Sequence, residues 1–268
     1  MSAIGNQGLM DGQAYRESLR RYRPTVYVDG QSIESVVDAP SLQPGINALA
    51  VSYDFAQRAE WAPLLLARQT VSGKMVNRML HINESAGDLL NKLEAVRLLC
   101  QETGCAQRYL AHDALNGIGQ AAARLDDAQG SREYGARFAA YLQHVQDQDL
   151  SLGIAMTDAK GERSKRPHQQ SNPDVYVHIV ERNGKGIVIS GCKAIVTGAP
   201  YVHELLVMPS RNMRAEDADF AVCCALPVDA PGVTIVARPA GRPGEKPEHG
   251  AALFSRKYGQ STAVILFE

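Results

Sequence analysis

Between residues 156 and 164 the chain reads Met156-Thr157-Asp158-Ala159-Lys160-Gly161-Glu162-Arg163-Ser164, a run that gathers a hydroxyl, two cations and backbone N–H groups around a glycine. Such groups suit the polar edge of a flavin ring or a pyrophosphate, because oriented N–H groups and cations stabilise concentrated negative charge. The same residues also read as a solvated interdomain linker, since Asp-x-Lys-Gly stretches are common turns. Arg163, Lys165 and Arg166 carry the same choice: contacts to the phosphates of a flavin or a coenzyme-A-type anion, or a solvated charge run. His203-Glu204 places an acid beside a base, but neighbours on a strand point to opposite faces, which favours a structural role. Cys100 falls on the apolar face of Leu98-Leu99, and Cys223-Cys224 fall inside an apolar strand. Free thiols in such places act as small core hydrophobes.

Composition removes several classes of partner. The 268 residues are 45% hydrophobic and 21% charged, ordinary for a globular chain long enough for two compact domains. A formal net charge of −1 supplies no basic field for nucleic acid or an anionic membrane. No run approaches the roughly 20 apolar residues of a membrane helix. Residues 1–7 lack the cationic region and apolar run of a secretory leader. Five cysteines without regular spacing suit a reducing cytoplasm. A cytoplasmic protein with a small-molecule partner is expected.

The elements that would position the loop fall into two halves. Asp11 can cap a helix through Tyr15, Leu19 and Tyr22 that Pro24 stops. Thr25–Val28, Asp29-Gly30 and Ser32–Val36 read as a small hairpin. Helical spacing follows over Ile46–Ala56, then from a Ser85 cap with Asp88 through Leu89, Leu90, Leu93 and Leu99. Two more helices are expected, over about 107–125 and 133–147, the latter with Phe138, Leu142 and Val145 on one face. Near residue 150 the pattern changes. Val175–Val180 alternates, Asn183-Gly184 signals a hairpin turn into Gly186–Gly191, and strands are expected at Leu205–Met208, Phe220–Leu226, Val233–Ala237 and Ala263–Glu268. Pro239–Gly250 reads as a long exposed loop. The fold class is therefore α+β, with a helical domain over 1–149 that includes the hairpin and a β domain over 150–268. A last strand with no return element suggests that another segment completes the fold.

The run Met156–Arg163 is similar, nearly residue for residue, to the flavin-contacting loop of the 4-hydroxyphenylacetate 3-hydroxylase/4-hydroxybutyryl-CoA dehydratase family. Gly191-Cys192-Lys193-Ala194-Ile195-Val196-Thr197-Gly198 resembles that family's second flavin segment, and His203–Pro209 the stretch after it. Ile46–Tyr53 and Asp113-Ala114-Leu115-Asn116 resemble it too, so the likeness extends from about Tyr15 to Glu268. It implies an acyl-CoA-dehydrogenase-like helical N-terminal domain followed by an antiparallel, β-barrel-like flavin-binding domain. The family's C-terminal helical bundle is lacking here. Carried over by position, FAD would be contacted by Met156, Thr157, Asp158, Ala159, Lys160, Gly161, Glu162 and Arg163, and by Ile195, Val196 and Thr197. Thr157 and Thr197 would hydrogen-bond near the ring.

The residues that would specify the chemistry depart from both branches. The dehydratase branch needs two cluster-ligating cysteines four apart, and here Cys105 is followed by Tyr109, a poor iron ligand. That branch's glutamate falls near Ser261-Thr262, so no metal site is expected. The hydroxylase branch places an arginine and a tyrosine at the Cys105 and Tyr109 positions, and a substrate histidine near Gly153. Tyr109 thus fits as the catalytic, substrate-holding group, while Cys105 and Gly153 do not match. The expected function is an FAD-dependent two-component monooxygenase acting on a phenolic or related substrate. It would be fed by a flavin reductase and completed by a separate C-terminal-bundle subunit. The alternatives are a hydroxyacyl-CoA dehydratase/isomerase and a non-catalytic subunit.

Overall fold

The structure, a computed structural model, describes residues 8–69, 71–105, 107–241 and 253–268. Residues 1–7 and residues 242–250 of the loop expected over Pro239–Gly250 lie outside the described residues. The chain divides into two compact units, Met1–Ser18 with Ile46–Ser151, and Leu19–Gly45 with Leu152–Glu268.

The first unit is mainly helical. Helix α1 (Gly12–Leu19) begins where the Asp11 carboxylate accepts from the Ala14 N–H, at 2.7 Å. It ends well before Pro24, so Tyr22 lies beyond it. Helix α2 (Gln43–Gln57) buries Ile46, Leu49 and Tyr53. A short helix α3 (Ala62–Leu65) leads into an antiparallel pair, β3 (Leu66–Arg68) and β4 (Met75–Asn77), which the sequence patterns do not announce. Strands β1 (Thr25–Val28) and β2 (Gln31–Ser32) belong to the other unit. Helix α4 (Ala86–Thr103) opens on a complete capping box between Ser85 and Asp88 and stops at Gly104, whose φ is 71°. Its inward face is Ala95, Leu99 and Thr103, not the leucines at its start: Leu89, Leu90 and Leu93 are exposed, and Cys100 is only half-buried. Helix α5 (Tyr109–Gln129) is joined to α6 (Glu133–Asp147) by the Asp126 carboxylate, which accepts from Ser131, Tyr134 and Gly135. The core is made of Tyr15 stacked on Tyr53, with Leu65, Met79, Leu80, Leu115 and Val145. Burying each such side chain stabilises the unit by about 1.5–3 kcal/mol.

The second unit holds two sheets. The larger runs β2 (Gln31–Ser32), β1 (Thr25–Val28), β10 (Val233–Ala237), β11 (Thr262–Phe267), β7 (Gly186–Thr197), β6 (His178–Asn183). The smaller runs β5 (Leu152–Ala155), β8 (Glu204–Val207), β9 (Cys224–Pro227). Pairing is antiparallel except between β1 and β10 and between β5 and β8. The early hairpin thus joins the β unit rather than the helical one, because β1 lies along β10 in register, Thr25 opposite Thr234. Two expected strands are shorter than their sequence pattern. Val175 closes a 3-10 turn and β6 starts only at His178, leaving Tyr176 and Val177 both buried. Phe220 ends another 3-10 turn, so β9 starts at Cys224 and Cys223 is exposed rather than part of the core. A short helix, α7 (Leu253–Lys257), precedes β11. Among the described residues no helix is long and apolar enough to cross a membrane.

Candidate functional site

The chain leaves β5 at Ala155 and enters the 156–163 loop, whose path is set by one buried lysine on β7. Lys193 is 2% exposed, and its ammonium reaches Asp158 Oδ1 at 2.6 Å, the Met156 carbonyl at 3.0 Å and the Met208 carbonyl at 2.8 Å. All three of its donors are used. Burial pushes its pKa down, and the adjacent Asp158 carboxylate opposes that push. The Ala194 N–H donates to the Thr157 carbonyl at 2.8 Å, the Lys160 N–H to Val175 O at 3.2 Å, and the Glu162 N–H to Gln170 Oε1 at 3.0 Å. The loop is therefore laced to β7 and to the 170–177 segment. Gly191 is required there: its φ is 115°, and a Cβ would sit 2.2 Å from the Tyr176 carbonyl.

This lacing decides which predicted residues can meet a ligand. Met156 and Ile195 are exposed, at 44% and 67%, and Val264, opposite Ala194 in the β7–β11 register, is at 36%. Thr157 and Thr197 are half-buried, and Ala159 is exposed. Exposed apolar side chains and accessible hydroxyls are the residue types a flat ring with a polar rim needs, so the chemistry of these residues is compatible with a flavin. The side chains of Asp158 and Val196 turn inward, at 3% and 0% exposure, leaving them only backbone atoms to offer. Asp158 Oδ2 is buried with no hydrogen-bond partner. Glu162 is occupied by Lys165 at 2.7 Å.

The charge run separates into structural and uncommitted members. Arg166 binds the wholly buried Asp217, which also takes His168 Nδ1 at 2.7 Å and the Arg214 N–H at 3.1 Å. Burial pushes the Asp217 carboxyl up, but these donors outweigh it and hold it well below the usual carboxylate range. Lys160 and Arg163 instead line a cleft of about 270 Å³ with Tyr176, Ser210 and Arg211.

In the helical unit, Tyr109 is the first residue of α5 and half-buried. Arg108 before it is fully buried, 2.8 Å from Asp149 Oδ1, with its guanidinium 4.0 Å over the Tyr53 ring. Cys105 is half-buried, its Sγ 3.9 Å from Gln107 Nε2. Among the described residues no three His, Cys, Asp or Glu side chains converge as metal ligands. Gly153, Ser261 and Thr262, the positions that do not carry the groups expected from the resemblance, lie in the β unit. At Gly153 a Cβ would meet Leu205 and Val202 side chains at 3.1 Å each. Ser261 donates to the Arg238 carbonyl at 2.6 Å, and Thr262 accepts from Arg238 Nε at 3.0 Å. His203 is wholly buried with its ring 5.5 Å from Tyr22, and Glu204 is buried on β8. Burial, then the nearby Glu204 charge, raises the Tyr22 phenol. This acid and base pack inside the β unit and do not form an open catalytic pair.

Lys193, Asp217 and Arg108 carry no individual role in the sequence reading: Lys193 lies inside an apolar strand pattern and Arg108 beside Tyr109 and Leu110, whereas Asp217 stands in a polar run that offers no signal.

The match to the family model 4-hydroxyphenylacetate 3-hydroxylase N terminal covers residues 11–268. The chain is 36% identical over 263 residues to the 4-hydroxybutyryl-CoA dehydratase/vinylacetyl-CoA-Delta-isomerase of Clostridium aminobutyricum, covering 97% of this chain and 54% of that protein. The solved oxygen-tolerant archaeal 4-hydroxybutyryl-CoA dehydratase of N. maritimus superposes with a TM-score of 0.90 at 36% identity, over 97% of this chain and 52% of that one. The oxygenase component of 4-hydroxyphenylacetate 3-monooxygenase, solved in complex with FAD, superposes at 0.80 with 25% identity, over 96% of this chain and 52% of that one. The chain spans about half the length of the relatives it matches. The α+β arrangement, the match along almost the whole chain and the likeness to both branches establish that the chain belongs to the 4-hydroxyphenylacetate 3-hydroxylase family, in the region of its N-terminal part.

Proposed function

We propose that this chain is an FAD-binding component of a flavin-dependent oxidoreductase, a two-component monooxygenase that hydroxylates a phenolic or related substrate with reduced FAD from a separate reductase. The observation that supports the reading is the Lys193-pinned loop, beside which Met156 and Ile195 are exposed and Thr157 and Thr197 half-buried. When bound, the flavin supplies the redox chemistry. The chain's own work is to hold its ring: Met156 and Ile195 exclude water from one face, and Thr157, Thr197 and the backbone of 158–163 offer hydrogen bonds to the polar rim. Tyr109 is the group assigned to hold the substrate's hydroxyl. A separate helical-bundle polypeptide is proposed as a partner of this chain. A cytoplasmic setting suits its five free cysteines.

A second reading, a hydroxyacyl-CoA dehydratase/isomerase, is favoured by the 36% identity to the clostridial enzyme. Tyr109 in place of a second cysteine, and the hydrogen-bonded Ser261-Thr262 in place of a carboxylate, weigh against it. The test is to purify the chain with any helical partner it retains, assay iron, and look for oxygen-dependent hydroxylation of simple phenols with reduced FAD. Hydroxylation without iron supports the first reading. Iron–sulfur absorbance supports the second, and a stable colourless homomer overturns both in favour of a non-catalytic subunit.

A further inference from the structure

A cleft of about 560 Å³ in the helical unit is lined by Asn83, Glu84, Leu89, His112, Asn116 and Gln120 among others. That volume is within the roughly 300–1,000 Å³ of clefts that take a small molecule. His112 stands at it with only 1% of its surface exposed. Both of its ring nitrogens face oxygens: Nδ1 the Asp113 carboxylate at 3.3 Å, and Nε2 the Asn83 side-chain carbonyl at 3.0 Å. A neutral imidazole has a single N–H and can donate to one of the two, whereas an imidazolium donates to both. We propose that His112 is a proton-operated switch of this cleft: on losing its proton it turns the Asn83 side-chain amide over, exchanging a hydrogen-bond donor at the cleft for an acceptor.

The surrounding bonds decide which group turns. The Asp113 carboxylate, also held by Lys92 at 2.8 Å, keeps the remaining proton of the neutral ring on Nδ1. Nε2 then directs a lone pair at the Asn83 oxygen. Rotation of the amide replaces that repulsion with an N–H donated to Nε2, and the displaced oxygen takes the place of the NH2 group. The Asn83 backbone N–H is anchored on Asn116 Oδ1 at 2.8 Å, while among the described residues its side-chain nitrogen has no partner. Asn116 cannot turn in its stead, because its own NH2 already donates to the His81 and His112 carbonyls at 3.0 and 2.9 Å. Burial pushes the His112 pKa down; Asp113 opposes that push, and Lys92 on α4 and His81 add to it. His81 faces Asp88 at 3.4 Å, which Arg78 also approaches, and Glu84 lines the same cleft. On α6, Glu133 is paired with Arg137, Asp147 with Lys74 and His144 with Gln148. The donor form of the cleft therefore belongs to acidic solution and the acceptor form to neutral solution.

The experiment records nitrogen-15 spectra of the full chain, labelled at histidine and asparagine, from about pH 5 to 8. The His112 ring is expected to titrate with a midpoint below the ordinary histidine value, its neutral form carrying the proton on Nδ1. The Asn83 side-chain NH2 signal should move with the same midpoint. Asn83→Asp replaces the turning amide with two acceptors, one of them charged, and should raise the His112 midpoint by at least about one pH unit. Asp113→Asn, at an exposed position, should lower it, which keeps the test open where Asn83→Asp fails to fold. A neutral ring with its proton on Nε2, an Asn83 amide that does not follow the ring, or a midpoint that neither substitution moves would overturn the switch.

Discussion

Two buried ion pairs, one in each unit, are made of similar parts and finish differently. In the β unit Lys193 meets Asp158 at 2.6 Å and spends its other donors on the carbonyls of Met156 and Met208. In the helical unit Arg108 meets Asp149 at 2.8 Å, donates to the Leu150 carbonyl and lies over Tyr53, yet its Nε and Nη1 are buried without hydrogen-bond partners. The lysine pair fixes the backbone of the loop assigned to the cofactor. The arginine pair anchors the base of α5 and leaves the next residue, Tyr109, unconstrained by any such network. The loop proposed to hold the cofactor is thus fixed by buried charge, while Tyr109, proposed to hold the substrate, is half-buried next to the arginine pair. Cys105 and Tyr109, which match neither branch in full, lie on the arginine side of that contrast.

The comparison breaks first at Lys193. Lys193→Met leaves the Asp158 carboxylate buried and uncompensated, and is expected to cost about 3–5 kcal/mol in denaturant unfolding. Lys193→Met combined with Asp158→Leu should recover much of that loss, since the bare charge goes with it. If the single variant is as stable as wild type, the clamp does not hold the loop.

Next comes Asp217→Asn, which removes the charge that gathers Arg166, His168 and the Arg214 amide. It should cost about 2–3 kcal/mol at neutral pH. The Asp217 carboxyl is held below its unfolded value, so its contribution is present above the ordinary carboxylate pKa of about 3.9 and is lost as pH falls through the lower folded value. The gap between variant and wild type in unfolding experiments should therefore close on acidification below that point, and a gap independent of pH would contradict the assignment.

Much of the framework was legible in the sequence for local reasons. Helix α4 announces itself through the Ser85–Asp88 capping box, and α6 through apolar spacing that ends with its last turn. Strand β10 stands where alternation and flanking turn residues put it. What escaped was non-local. Nothing near Thr25–Val28 reveals that its partner is Val233–Ala237, so the hairpin seemed to belong with the helices. Val175–Val180 alternates like a strand, but Tyr176 packs its carbonyl under Gly191 and the ladder begins only at His178. In the site, the loop was readable from residue types, whereas the inward turn of Asp158 depends on a lysine 35 positions away in sequence.

Smaller effects sharpen the contrast. Thr157→Val removes one hydroxyl from the proposed ring edge and should weaken FAD by about fivefold, roughly 1 kcal/mol, in a flavin fluorescence titration. Smallest in stability is Tyr109→Phe, expected to change unfolding by under about 0.5 kcal/mol. Its effect belongs in substrate KM, with FAD affinity unchanged. Equal damage to stability and KM would place Tyr109 among the locked residues instead.

The most direct measurement is hydrogen–deuterium exchange of the full chain with and without saturating FAD. Slowed exchange at the amides of residues 156–163 and 195–197, lost in Lys193→Met, is the predicted result. Protection elsewhere with those segments unchanged, or no protection at any FAD concentration, would contradict a flavin wall built on the Lys193 clamp.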